Sequence, residues 1–68
     1  MSHDRENVHL ATLFAVLRDY TESAAQAEAL HRWFESEKRE NPERIALTMS
    51  GALYDGLAFG NWPWKDVQ

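Results

Sequence analysis

The apolar residues near the start of the sequence repeat at the spacing of an α-helix. Leu10, Leu13 and Leu17 are three and four residues apart, and Phe14 and Tyr20 fall on the same side of a helix. These residues share one face only if the chain turns once every ~3.6 residues. The spacing predicts a first helix over residues 4–20, with this face turned toward the rest of the chain.

A second helix is predicted over residues 23–40. Ser23 followed three residues later by Gln26 has the form of a capping box, and Thr21 is a competing N-cap. The apolar side contains Ala27, Leu30 and Phe34, with Trp33 beside it. The polar side has two acid-first pairs at i,i+4 spacing, Glu28 with Arg32 and Glu35 with Arg39. A short junction to the first helix predicts antiparallel neighbours.

A third helix is predicted over residues 42–57. Asn41 and Pro42 form a helix start, because an Asn side chain caps free N–H groups and proline is tolerated at the first helical position. The apolar face is Ile45, Met49, Ala52, Leu53 and Leu57. Gly51 weakens the helix, so we expect another backbone to approach it closely. Gly56 or Gly60 is expected to end the helix in the left-handed conformation.

The chain ends in Gly60-Asn61-Trp62-Pro63-Trp64, which contains two of its three tryptophans. A residue before proline favours extended backbone, and proline cannot continue a helix. Residues 60–68 are therefore predicted to be an extended aromatic tail. The whole prediction is an all-α fold, a small three-helix bundle in one domain over residues 1–68.

A chain of 68 residues without cysteine has few sources of stability. Domains of this size bury only about 60% of their unfolded surface, and disulfides and thiolate metal sites are excluded. Two sources remain, close packing by the tail or association with a second copy. In the second case Val8, Val16 and the small residues Ser50, Gly51 and Ala52 are expected to face the other chain.

The charge balance disfavours direct binding to nucleic acid. Seven basic residues against eleven acidic ones give a net charge of −4, with no basic stripe to neutralise phosphates. An acidic surface instead suits a basic protein partner. No apolar stretch approaches the ~20 residues of a membrane span and no leader precedes the first helix, so a cytoplasmic protein is expected.

Residues for catalysis or for metal binding do not occur in a productive pattern. His3, His9 and His31 lack the spacing of a zinc motif, and Ser50-Gly51 lacks the context of a nucleophile elbow. We therefore expect neither an enzyme nor a cofactor or metal site.

The aromatic residues at the end of the third helix and in the tail are the best candidates for a contact surface. Tryptophan and tyrosine dominate the binding hot spots of protein interfaces. In one alternative Trp62 and Trp64 both complete the core, and in the other one of them is inside and one at an interface. The candidate protein-binding residues are Trp33, Glu35, Glu37, Tyr54, Asp55, Phe59, Trp62 and Trp64.

Part of the sequence resembles a known family. Leu47-Thr48-Met49, then Leu53-Tyr54-Asp55 and Trp64-Lys65, are similar to the C-terminal part of the small nucleoid-associated modulators of the Hha/YmoA type. The likeness needs a gap, and an acidic, alanine-rich half replaces that family's basic N-terminal half. The resemblance implies a helical protein that binds another protein.

The sequence predicts a protein-binding inhibitor or regulator that covers a partner's surface. Its size and acidity are similar to those of phage-encoded inhibitors such as anti-CRISPR proteins. The most specific version of this prediction is a phage-type anti-defence inhibitor that occludes a nucleic-acid-binding site. The alternatives are a homodimeric helical module and an Hha-like regulator of a nucleoid protein.

Overall fold

Three helices and an irregular C-terminal tail make up the fold. The computed structural model describes the backbone of residues 2–68 and the side chains of residues 9–68. The helices are α1 (Ser2–Asp19), α2 (Ala24–Glu40) and α3 (Ile45–Phe59), and a single 3₁₀ turn (Pro42–Arg44) precedes α3. The predicted all-α three-helix bundle is confirmed. Val8 lies outside the described side chains.

The junction between α1 and α2 follows from side-chain capping. Ser23 Oγ accepts a hydrogen bond from the Gln26 N–H at 3.1 Å, which confirms Ser23 as the N-cap. Gln26 Oε1 in turn accepts from the Glu22 N–H at 2.7 Å, one residue earlier than in a standard capping box. Thr21 donates its hydroxyl to the Arg18 carbonyl at 2.6 Å. Thr21 therefore caps the end of α1 and does not compete for the start of α2.

The prediction that the Asn41 side chain caps the third helix is wrong. Asn41 ends α2, where its N–H donates to the Glu37 carbonyl at 2.8 Å, and its side chain makes no capping hydrogen bond. The Asn41 carbonyl instead accepts from the Arg44 N–H at 3.0 Å. This bond spans three residues and closes the 3₁₀ turn, so α3 begins only at Ile45.

The core contains at least one residue from each helix and one from the tail. The buried apolar residues are Leu17, Leu30, Ile45, Met49 and Trp64. α3 packs mainly against α1, with α2 alongside. Leu57 was expected on the buried face of the third helix, but it is 58% exposed. It lies about 80° from Met49 around the helix axis at ~100° per residue, beyond the buried stripe.

The close approach to α3 occurs at Gly56 rather than at Gly51. Among the described residues outside the helix's own backbone, a Cβ atom at Gly51 would meet nothing within 4 Å, so the predicted contact at Gly51 is wrong within the described part of the chain. A Cβ atom at Gly56 would lie 2.0 Å from the Trp62 ring. The sequence could not locate this contact, because it depends on where the tail returns.

Gly60 ends α3 as expected, in the left-handed conformation with φ of 69°. Its N–H donates to the Gly56 carbonyl at 2.8 Å, and the Asn61 N–H donates to the Asp55 carbonyl at 3.2 Å. The backbone groups at the helix end are thus partly satisfied as the chain reverses direction.

The tail then turns back over the helices. The Lys65 N–H donates to the Trp62 carbonyl at 3.1 Å, and the Val67 N–H donates to the Trp64 carbonyl at 2.9 Å. Gln26 Nε2 on α2 donates to the Val67 carbonyl at 2.7 Å, which fastens the last turn to α2. The tail therefore consists of consecutive turns packed on the bundle.

Three aromatic rings stack where the tail crosses the bundle. The Trp62 ring lies between Tyr20 and Trp64, with centroid distances of 4.9 Å and 5.1 Å. Trp64 is only 2% exposed and is one of the largest buried side chains. Trp64 is therefore a core residue, as one of the two tryptophans is in either alternative, and Trp62 is partly buried against the core.

Replacement of Trp64 by alanine should unfold most of the protein. Truncation of a buried tryptophan costs about 3–5 kcal/mol, close to the whole stability of a domain this small. Far-UV circular dichroism with urea titration measures the loss. Phe59→Ala, which removes a ring that is 74% exposed, is the matched control and should change stability by no more than about 0.5 kcal/mol. A helical, cooperatively unfolding Trp64→Ala variant would contradict the assignment of Trp64 to the core.

Candidate protein-binding groove

An open groove of about 550 Å³ lies between α2, α3 and the tail. We call it the tail groove. Its lining residues are Trp33, Glu37, Thr48, Gly51, Ala52, Asp55, Asn61, Trp62, Pro63, Lys65 and Asp66. Binding sites for partner side chains are typically concave, with apolar walls and a few polar groups.

Two indole rings form the aromatic part of the tail groove. Trp33 is on α2 and is partly buried against the core. Trp62 is held in place from three directions, by Tyr20 and Trp64 on its faces and by the backbone at Gly56. Because the core fixes both rings, they present apolar surface to a partner at little entropic cost.

The charged groups in the tail groove are predominantly acidic. Glu37, Asp55 and Asp66 contribute three carboxylates, and Lys65 contributes the one ammonium group among the lining residues. Lys65 Nζ donates a hydrogen bond to Asn61 Oδ1 at 2.7 Å, so this ammonium group is held by another side chain of the tail. The tail groove therefore has a net negative charge beside two aromatic rings.

Four of the eight predicted site residues meet in the tail groove. They are Trp33, Glu37, Asp55 and Trp62, and they come from α2, α3 and the tail. Lys65 and Asp66 were missed by the sequence reasoning, which treated the tail as an aromatic segment. The sequence does contain a signal for these two residues, the charged pair Lys-Asp directly after Trp64.

The other four predicted residues lie elsewhere. Tyr54 and Phe59 are 65% and 74% exposed, and their rings contact each other edge-on at 6.3 Å. Glu35 pairs with His31 at 3.8 Å rather than with Arg39 as predicted, whereas the predicted pair of Arg32 and Glu28 forms at 3.4 Å. Trp64 is buried, so a partner cannot reach its ring in this structure.

The part of the chain whose side chains the structure describes is residues 9–68. Within it, no group of three or more His, Asp or Glu side chains is arranged to hold a metal ion. None of the described helices has the length and apolar character required to cross a bilayer.

No protein-family model, curated protein or solved structure matches this chain. The tail groove is therefore interpreted from its own residues.

The charge of the tail groove should favour cations near Trp33. At low ionic strength, caesium should quench the Trp33 fluorescence more strongly, and iodide more weakly, than each ion quenches a free neutral tryptophan derivative at the same concentration, because the three carboxylates attract cations and repel anions. The Trp33→Phe variant identifies the Trp33 contribution by difference. The preference should shrink as the Debye length falls from about 30 Å at 0.01 M salt to about 8 Å at 0.15 M. The same relative quenching for the two ions at low salt would contradict this electrostatic description.

Proposed function

We propose that this protein is an inhibitor or regulator that binds another protein through the tail groove and covers a basic surface of that partner. One observation carries the proposal, the convergence of two fixed indole rings with three carboxylates in one concave surface. Arginine and lysine side chains are attracted both to carboxylates and to the faces of aromatic rings. Tyr20 and Trp64 stack on Trp62, so the ring for such a contact is Trp33, and Trp62 contributes its edge. A partner that inserts such a side chain would satisfy both kinds of group.

The distribution of charge supports the same class of partner. The whole chain has a net charge of −4, and the acidic groups in the tail groove add a local field of the same sign. Complementary charge raises the rate of encounter and excludes acidic competitors, while buried aromatic contacts slow dissociation. A basic surface on a protein commonly serves to bind nucleic acid.

The most specific version of the proposal is a phage-type anti-defence inhibitor of the anti-CRISPR kind, which occupies its target's nucleic-acid-binding surface. The Hha/YmoA resemblance leads to a related function, regulation of a nucleoid protein by direct binding. Both forms place the acidic groove against a basic protein surface. They differ in the partner, so capture of the partner from the native host distinguishes them.

Neutralisation of the tail groove should weaken capture of the partner. Glu37→Gln with Asp55→Asn keeps the shape of the groove and removes two charges, and we expect at least about a tenfold lower association rate for a steered complex. The measurement is affinity capture from host lysate, followed by association kinetics with the identified partner. Competition with nucleic acid for that partner then tests occlusion.

The matched control is Glu40→Gln with Glu43→Gln. It removes the same charge from exposed positions that do not line the tail groove. If both double variants bind alike, or if the captured partner has no basic surface, the proposal is wrong.

A further inference from the structure

The outward side of α3 is an exposed apolar surface. Leu47, Tyr54 and Leu57 are 63%, 65% and 58% exposed. We call this surface the outer α3 face; its residues are Leu47, Ser50, Gly51, Tyr54, Leu57 and Ala58, all exposed. Gly51 also lines the tail groove, so the two surfaces meet at that residue. Single exposed apolar residues are common on monomers, but several along one helix mark a contact surface.

The outer α3 face has the residue spacing of a helix-pairing seam. Leu47 and Tyr54, Ser50 and Leu57, and Gly51 and Ala58 are each seven residues apart. Apolar or small residues at i, i+3, i+4, i+7, i+10 and i+11 remain on one side of a helix over three turns. The opposite side of α3 has a separate apolar stripe that already packs in the core, with Ile45 and Met49 buried. α3 is thus apolar on two opposite sides, as expected of a helix that is packed against other segments on both sides.

We propose that a second copy of this chain covers the outer α3 face, with the two α3 helices antiparallel about a two-fold axis near Gly51. In that arrangement the residues before Gly51 on one chain oppose the residues after it on the other. Leu47 then lies opposite Tyr54 of the second chain, and the same contact repeats on the other side of the axis. A two-fold interface requires this kind of self-complementary surface.

The charge pattern favours a second copy over a basic partner. The chain has a net charge of −4, so its copies repel one another, and an uncharged contact surface adds no further repulsion at the interface. The outer α3 face contains no charged residue, and Asp55, the one charged residue of α3, lines the tail groove instead. A surface for a basic partner would be expected to contain carboxylates, as the tail groove does.

Gly51 gives a separate reason for close helix contact. Apart from the helix's own backbone, no described residue lies within 4 Å of a Cβ placed there, so packing among the described residues does not require glycine. Small residues at a helix crossing let two backbones approach closely. Ser50 is the small residue beside Gly51, and the larger side chains of Leu47 and Tyr54 lie on either side of this pair.

The available area suits a reversible dimer. Leu47, Tyr54 and Leu57 expose roughly 400 Å² together, judged from their exposed fractions and typical residue areas. A standard interface buries about 800 Å² on each partner. The large side chains therefore supply about half, and the small residues and adjacent backbone supply the remainder.

Sedimentation equilibrium of the full-length chain tests the dimer. The wild type should approach twice its mass of 7.9 kDa with rising concentration. Leu47→Glu with Tyr54→Glu should return the mass to that of one chain, since like charges would face each other across the axis. Ala25→Glu, an exposed position on α2, is the matched control for added charge and should leave the dimer intact. A wild type that stays monomeric up to about 1 mM, or a double variant that still dimerises, overturns the proposal.

Disulfide trapping tests the position of the axis without relying on the charged variants. The chain has no cysteine, so Gly51→Cys introduces a single thiol that can pair only with another chain. A disulfide requires Cα atoms about 4.4–6.8 Å apart. Under mild oxidation Gly51→Cys should cross-link much faster than Ala25→Cys at equal concentration. Equal rates would overturn the two-fold arrangement at Gly51. The groove variants Glu37→Gln with Asp55→Asn should dimerise normally, so the dimer and the partner-binding proposal can fail separately.

Discussion

The packing of the tail tryptophans against the helices is the interaction on which the rest of the structure depends. Among the described side chains, the three helices supply four of the five that are buried in the core, and Trp64 from the tail is the fifth and among the largest. Trp62 covers it, stacked between Trp64 and Tyr20 and directly above Gly56. A chain without disulfides obtains its remaining burial from this aromatic stack, and the hydrogen bond from Gln26 to the Val67 carbonyl keeps the last turn in place.

The same packing creates the candidate binding surface. Because the tail returns across α3, it places Trp62, Lys65 and Asp66 opposite Trp33 and Glu37, and the tail groove forms between them. The position of the groove is therefore linked to the stability of the core. A partner would meet rings already held by the bundle, and the tail would not need to fold on binding.

The helices could be predicted from the sequence because their signals are local. Apolar spacing, the Ser23 cap and the stop at Gly60 each involve residues within a few positions of one another, and all three appear in the structure. Some local signals failed, because the Asn41 backbone closes the 3₁₀ turn without its side chain and Glu35 lies beside His31 instead of Arg39. The other failures depend on distant contacts. Gly51 and Gly56 look alike in sequence, and only the return of Trp62 distinguishes them. The tail groove likewise combines residues from α2, α3 and the tail. The sequence could therefore identify single candidate residues, but not that they meet in one groove.

The most direct test of the account compares Gly56→Ala with Gly51→Ala by urea unfolding at submicromolar concentration. Alanine is the better helix former by roughly 1 kcal/mol at both sites. At Gly51, where a methyl group meets open space, the substitution should stabilise the fold by about that amount. At Gly56 the methyl group would lie 2.0 Å from the Trp62 ring, so the ring must move and the fold should lose stability. Equal stabilisation at the two positions would contradict the packing of Trp62 on Gly56, and with it the structural role of the tail.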